Sequence, residues 1–432
     1  MGKAVVKIIV SLAVSTVLSI AGRVEAASIT AGSCSRNDVG NAVTSASDGD
    51  TVQVPAGTCS WTSTLTITKG ITLIGAGIGQ TIILDDIPVV NSNRAPFLSI
   101  NVSGTSKCWR VSGMTFTRGT QTAQAYNGRI AVAGNSHCFR LDHVYLDNLP
   151  AAYWVWLSGD LWGVIDHNTF RVTDDSSNSI PLMIYHSGWQ SVGTDGDNSW
   201  ATPVNYGSGE FVFIEDNIFT RETTNYGGIT DSLQGGRWVF RHNTLKRATI
   251  ETHGLESGGR GRGFRAFEVY ENDLNIDGLS PDAIVHLRSG SGVVYNNRVT
   301  NEAGGNWFLK GDNYRDLQIY PPWGKCDGSS VWDQNTSAGY ACMDQVGRGH
   351  GGYISGNPAL PAQWPNQISE PTYVWNNTTT KGVAAGTTNI RVGRDIITSA
   401  KPGYTPYTYP HPLVGGSSAA AAPSLPTGVT VW

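Results

Sequence analysis

Five segments of the chain share one pattern: an apolar residue, two variable positions, Asn, one variable position, and a second apolar residue. They lie at 165–170, 214–219, 240–245, 269–274 and 294–299, with Asn168, Asn217, Asn243, Asn272 and Asn297 in equivalent places. Segments 111–116 and 141–146 fit with Met114 and Val144 at the Asn position. From 114 to 297 the spacings are 30, 24, 49, 26, 29 and 25 residues. The 49 is either two coils or one coil carrying an insertion. A period of this length marks units that bury their apolar faces only by stacking. The apolar runs are short, rich in β-branched and aromatic residues, and broken by Gly, Asn and Asp, which predicts strands and turns rather than helices. The pattern therefore predicts an all-β solenoid. Asn suits the turn between two strands because it tolerates left-handed backbone. Stacked one coil apart, its amide can also bond its neighbours above and below.

Composition agrees. With 52 Gly, 19 Pro, 15% charged residues and a net charge of −4, a coiled coil or a disordered chain is excluded. A pI of about 6.1 gives no global basic field, so nucleic acid is not an expected partner. Lys3 and Lys7, the apolar run 8–21 and the small residues around Ala26 predict a secretory signal peptide over 1–26, and hence a secreted protein. No later run is long enough to span a bilayer. Six cysteines fit export and predict the pairs Cys34–Cys59, Cys108–Cys138 and Cys326–Cys342. Cys108 and Cys138 each stand six residues before an equivalent repeat position, one coil apart. The solenoid domain is expected over 27–414, with a Trp-, Pro- and Gly-rich loop or cap at 301–370. Residues 415–432 read as linker and tail.

The opening 48–57 (DGDTVQVPAG) and the segment 71–77 (ITLIGAG) resemble the first two coils of right-handed parallel β-helix proteins of the pectate-lyase-like superfamily. Segments 252–257, 323–328 and 407–412 resemble a group of secreted bacterial β-helix proteins. The resemblance implies a right-handed parallel β-helix with a short N-terminal cap helix near 36–47, a carbohydrate-active monomer, and chemistry on the outward face of the sheet called PB1. The clustered calcium-binding aspartates and Arg motif of pectate lyases are missing.

Candidate PB1 strands end mostly in Ser-Gly: 155–159, 184–188, 231–235, 254–258 and 286–290. Strand side chains alternate between faces. With Trp156, Tyr185, Leu255 and Leu287 inward, the outward set is His186, Asp231, Glu256, His286 and Arg288, with Leu157 and Leu233 among them. His253 falls on the inward parity and joins the set only through a bulge. This inventory of imidazoles, carboxylates and a guanidinium suits general acid–base chemistry. Residues 237–265 carry seven Lys or Arg and two acids. Its Gly-spaced Arg260, Arg262 and Arg265 are expected to bind an acidic polysaccharide, with Trp189 as a sugar-stacking candidate. A polysaccharide lyase acting on a uronate polymer by β-elimination is the leading expectation, with Arg288 or His286 as base. A glycoside hydrolase using Asp231 and Glu256 and a non-catalytic glycan-binding rod are the alternatives. Residues 194–198 (TDGDN) offer oxygen ligands to Ca²⁺ but lack a full calcium loop, so an Asx-rich turn is preferred. No other metal or cofactor is expected.

Overall fold

The structure, a computed structural model, describes residues 26–91, 93–123, 125, 127–173, 180–185, 194–223, 227–257, 261–333, 341–354 and 366–415. The expected leader (apart from Ala26) and the tail from 416 onward lie outside them. The chain winds into a right-handed parallel β-helix with three strand stacks. PB1 runs from Leu65–Ile67 through Leu98–Val102, Ile130–Gly134, Tyr153–Ser158, Ile180–Tyr185 and Thr230–Leu233. It continues through Ala248–Glu251, Ala283–Leu287, Trp307–Gly311 and Val383–Ala385. PB2 runs from Ser28–Thr30 to Ile396–Ile397, and PB3 from Gly57–Trp61 to Arg298–Thr300. Pairing within each stack is parallel throughout. Phe170 pairs with Phe219, so the 49-residue spacing is one coil carrying an insertion.

The Asn column forms a ladder between PB2 and PB3. Each Asn side-chain amide donates to the Asn oxygen of the next coil, from Asn168 through Asn217, Asn243, Asn272 and Asn297 to Asn377, at 2.8–3.1 Å. The left-handed residue is not the Asn itself but the one before it: His167, Asp216, His242, Glu271, Asn296 and Asn376 have φ between 51° and 58°. The Asn instead closes the turn by bonding backbone, as Asn243 does to the Ile214 and Arg241 carbonyls. Where Met114 and Val144 stand in for Asn, strands Arg110–Arg118 and Phe139–Asp147 run on from PB2 into PB3.

The helix Arg36–Ser45 starts at Ser35, whose hydroxyl accepts from the Asp38 amide at 3.2 Å. It inserts Val39, Ala42 and Val43 into the core beside the first coils. All three expected disulfides form. The outer face of PB2 carries a second apolar cluster of Val164, Phe213, Val239, Tyr270 and Tyr295. The chain covers it with its own segment 404–414, held by Arg241 on the Tyr407 and Thr408 carbonyls and by Tyr404 on Glu268. Among the described residues no helix is long and apolar enough to cross a membrane.

Candidate active site

Five of the six residues expected to carry chemistry fall among the described residues; Asp231, His253, Glu256 and Arg288 meet, and His286 stands opposite Glu251 on the next strand. His186, with Trp189 and Arg260, lies outside them. The cluster forms where PB1 strands end. In the central coil the strand is Ala248–Glu251, not 254–258, and Leu255–Ser257 form a single 3₁₀ turn beyond it. Leaving the strand early frees His253 from the inward parity; it is half-buried at the cleft. The turn returns Glu256 toward it. Leu255 anchors this turn in a small cluster with Trp323, Trp332, Met343 and Ile354. The 301–370 insertion thus fixes the height of Glu256.

His253 is the hub. Its Nε2 lies 2.9 Å from Asp231 Oδ1 and its Nδ1 3.5 Å from Glu256 Oε1. The contact to Asp231 is an ion-pair approach rather than a formed hydrogen bond, and this buried oxygen accepts no hydrogen bond among the described residues. Arg288 completes the ring. Its Nη1 is 3.1 Å from Glu256, and its Nη2 is 3.8 Å from both Asp231 and Glu251. Its Nε donates to the Thr252 carbonyl at 2.9 Å, and its guanidinium sits 5.4 Å from the Tyr314 ring centre. Glu256 also accepts the Gly254 N–H at 3.1 Å.

A second node adjoins the first. His286 pairs in register with Glu251 and Lys310. Its Nε2 lies 2.7 Å from Asp312 Oδ2, which Lys310 also approaches at 3.0 Å. Burial opposes ionisation of Asp312, but the bonds from His286 and Lys310 outweigh it and hold the carboxyl below its usual range. Burial, and then the Asp231 charge, push the Tyr153 phenol up. Glu251, Lys310, Asp312, Tyr314 and Tyr153 were not singled out from sequence. Glu251 and Lys310 follow from strand register once the right strand is known. Tyr314 and Asp312 belong to the loop and carry no repeat signal.

Several expectations need correction. Leu157 points into the core and is fully buried, whereas Trp156 is half-exposed on the outer face. The strand bears apolar residues on both faces, which defeats an argument from apolarity alone. Leu233 is buried as well. Arg262 and Arg265 are not at the surface. Arg262 is wholly buried, bonded to Asp344 at 2.7 and 2.8 Å and to Asp197 at 2.6 Å. Arg265 is wholly buried on Glu370 and Ser291. Arg237 and Arg241 are likewise fully buried and held internally. These four arginines of the basic run thus cross-link loops, because a guanidinium can satisfy many carbonyls and carboxylates at once. Asp197, from the segment considered for Ca²⁺, is engaged by Arg262 and the Ile354 N–H and opens the helix Asp197–Ala201. Among the described residues one group has three metal-type donors close together: Cys326, Asp333 and Cys342. Its cysteines are paired with each other, and Asp333 is bound to Arg315.

The charge of the cleft follows from these contacts. Among the described residues, Asp231, Glu251, Glu256, Asp282 and Asp312 face two permanent cations, Arg288 and Lys310. By this count the described part of the cleft is net acidic.

No protein-family model matches the chain, and no curated protein matches it. Among solved structures it is similar to a PL6 family polysaccharide lyase, Pedsa3628 from Pseudopedobacter saltans, at 15% identity and TM-score 0.40. That match covers 66% of this chain and 65% of the lyase, slightly less than two thirds of its length. It is also similar to the catalytic unit of a GH87 α-1,3-glucanase from Streptomyces thermodiastaticus at 11% identity and TM-score 0.35, over 65% of this chain and 66% of that one. The A-module of the Azotobacter vinelandii mannuronan C-5 epimerase AlgE4 matches at 12% identity and TM-score 0.32, over 86% of this chain and 95% of that one.

Proposed function

We infer that the protein is a polysaccharide-cleaving enzyme, and that its cleft supports hydrolysis by paired carboxylates better than β-elimination on a uronate. The observation that carries this is the joint bridging of Asp231 and Glu256 by one imidazole and one guanidinium. A single imidazole between them keeps the carboxylates inside the upper limit of about 9.5 Å for glycoside hydrolysis. Glu256, with Arg288 and the Gly254 N–H on it, has the surroundings of a base or nucleophile. Asp231, across the imidazole from Glu256, is assigned as the proton donor to the leaving oxygen. Elimination instead needs a cation to neutralise the uronate carboxylate. Of the expected neutralisers, Arg262 and Arg265 are buried, Arg260 lies outside the described residues, and Arg288 already faces three carboxylates. An acidic polymer would also meet a net acidic cleft.

The His286–Asp312 pair favours a second reading. An imidazole oriented by a carboxylate is a competent base for the proton α to a uronate carboxyl. One assay separates the two. The purified protein is incubated with neutral and uronate polysaccharides while absorbance near 235 nm and new reducing ends are followed. Reducing ends without absorbance support hydrolysis, and Glu256→Gln and Asp231→Asn then each lower kcat/KM by about 10²-fold or more. A rise at 235 nm, abolished by His286→Ala and not by Asp231→Asn, would transfer the reaction to elimination.

A further inference from the structure

Beside the acidic cluster the outer face of PB1 changes character. Trp156 lies on the same column as Asp231, through the intervening Met183 position. Two strand spacings separate them, roughly 10 Å. Around Trp156 is an open cavity of about 300 Å³, with Ser99, Asn101, Asn127, Ala131 and Ser158 among its lining residues. Ser99, Ala131 and Trp156 are successive rungs of one ladder, so two small side chains precede one large one. That step makes the hollow. Among the described residues its walls hold amide and hydroxyl groups and no charged side chain.

The indole is held rather than loose. Tyr153 packs edge-on against it, ring centres 5.4 Å apart. Gly128 lets the neighbouring backbone approach its base: a Cβ there would lie 2.5 Å from the Trp156 Cβ. The hollow stands beside the cluster, since Trp156 and Asp231 share one column two rungs apart. A fixed, half-exposed aromatic beside neutral amides and hydroxyls fits the apolar face and hydroxyl rim of a sugar ring. It offers a carboxylate no cation.

We propose that the Trp156 hollow is a sugar-stacking subsite for an uncharged glycan, and that the cleft therefore takes a neutral polysaccharide. This rests on the reading above that the cleft accepts a polysaccharide, and it narrows the class. Cluster and hollow act together: one repels polyanions, the other binds a pyranose face without reading charge.

The test is calorimetric titration of the full chain carrying Glu256→Gln with neutral oligoglucosides and, in parallel, oligogalacturonides, each over a range of lengths. The neutral series is expected to bind more tightly. Adding Trp156→Ala should weaken it by about tenfold or more, as for a buried aromatic anchor. Trp156→Phe should recover most of that loss, which a merely unfolded variant cannot do. Equal affinities with and without Trp156→Ala would overturn the proposal. So would tighter binding of oligogalacturonides, or no binding of either series. Cleavage persisting in Glu256→Gln would overturn the catalytic assignment alone, leaving the subsite to stand or fall on the Trp156 variants.

Discussion

Replacing Arg262 separates a structural guanidinium from a ligand-binding one. Arg262→Met keeps the aliphatic stem against Trp200, whose ring lies 5.2 Å from the guanidinium carbon, and deletes the charge. Two carboxylates with no exposed side-chain surface then lose a partner: Asp344 both bonds of a bidentate pair, Asp197 one bond. Asp344 keeps the Gly263 N–H and Gln367, and Asp197 keeps the Ile354 N–H. Breaking a buried pair on one side costs about 3–5 kcal/mol, because the stranded charge is not rehydrated. The loss should appear as a lower midpoint of denaturant unfolding with little change in slope. Adding Asp344→Asn and Asp197→Asn removes the stranded charges and should recover most of it. If Arg262→Met instead unfolds within about 1 kcal/mol of the native protein while glycan binding falls, the guanidinium reaches ligand and the burial argument is wrong.

Three further outcomes follow from particular contacts. Burial, and then Arg241, lower the His411 imidazole to about 4 from 6.5; it packs on Phe213 and its Nδ1 accepts the Leu413 N–H. Above 6.5 this costs nothing, but between 6.5 and about 4 the unfolded chain takes a proton that the folded one refuses. About 3 kcal/mol of stability should thus be lost over that window, and the His411→Phe variant should lack that part of the slope in unfolding midpoints measured at successive pH values. Asn243→Ala strands the Ile214 carbonyl and the Asn217 N–H, both partners of the buried side chain. It should cost about 2–5 kcal/mol, whereas the exposed Asn306→Ala should cost under about 0.5 kcal/mol. Asp312→Asn removes the carboxylate that orients His286; if elimination operates, the pH–rate profile should shift, and if hydrolysis operates it should not.

The fold was legible because a solenoid repeats its instructions. Each Asn had to recur in register to bond the one above it, and the Cys108–Cys138 pair spanned a step the repeat had already measured. Even the detail that failed was local: the left-handed strain sits on His167 or His242, one residue before the Asn, since the Asn amide must reach the preceding strand's carbonyls. The site was legible by composition and less so by placement. Asp231, His286 and Arg288 were found by their strand endings, and Glu256 by a strand that is really a 3₁₀ turn. Trp156 and Leu157 were exchanged because strand 153–158 is apolar on both faces, so alternation had nothing to read. Arg262 and Arg265 were misjudged because charge in a Gly-rich run looks exposed, and only tertiary partners such as Asp344 and Glu370 show otherwise.

Chemistry gathers where the repeat gives way, and there is a physical reason. Inside the ladder each outward position is bounded by identical geometry a strand spacing above and below, which favours like residues and leaves little room for opposed functional groups. At the coil 248–265 the strand stops after Glu251, and the chain gains freedom to turn Glu256 back on His253. That freedom has to be constrained again, and the buried arginines do this. Arg262 ties the turn's exit to Asp344 and Asp197, while Leu255 packs under Trp323 and Trp332 from the insertion. The basic run that looked like a substrate clamp is thus the support that lets an irregular turn hold two carboxylates and an imidazole at fixed distances. A cation turned inward for that purpose is unavailable to a polyanion, so the same residues that make the site rigid also leave it net acidic.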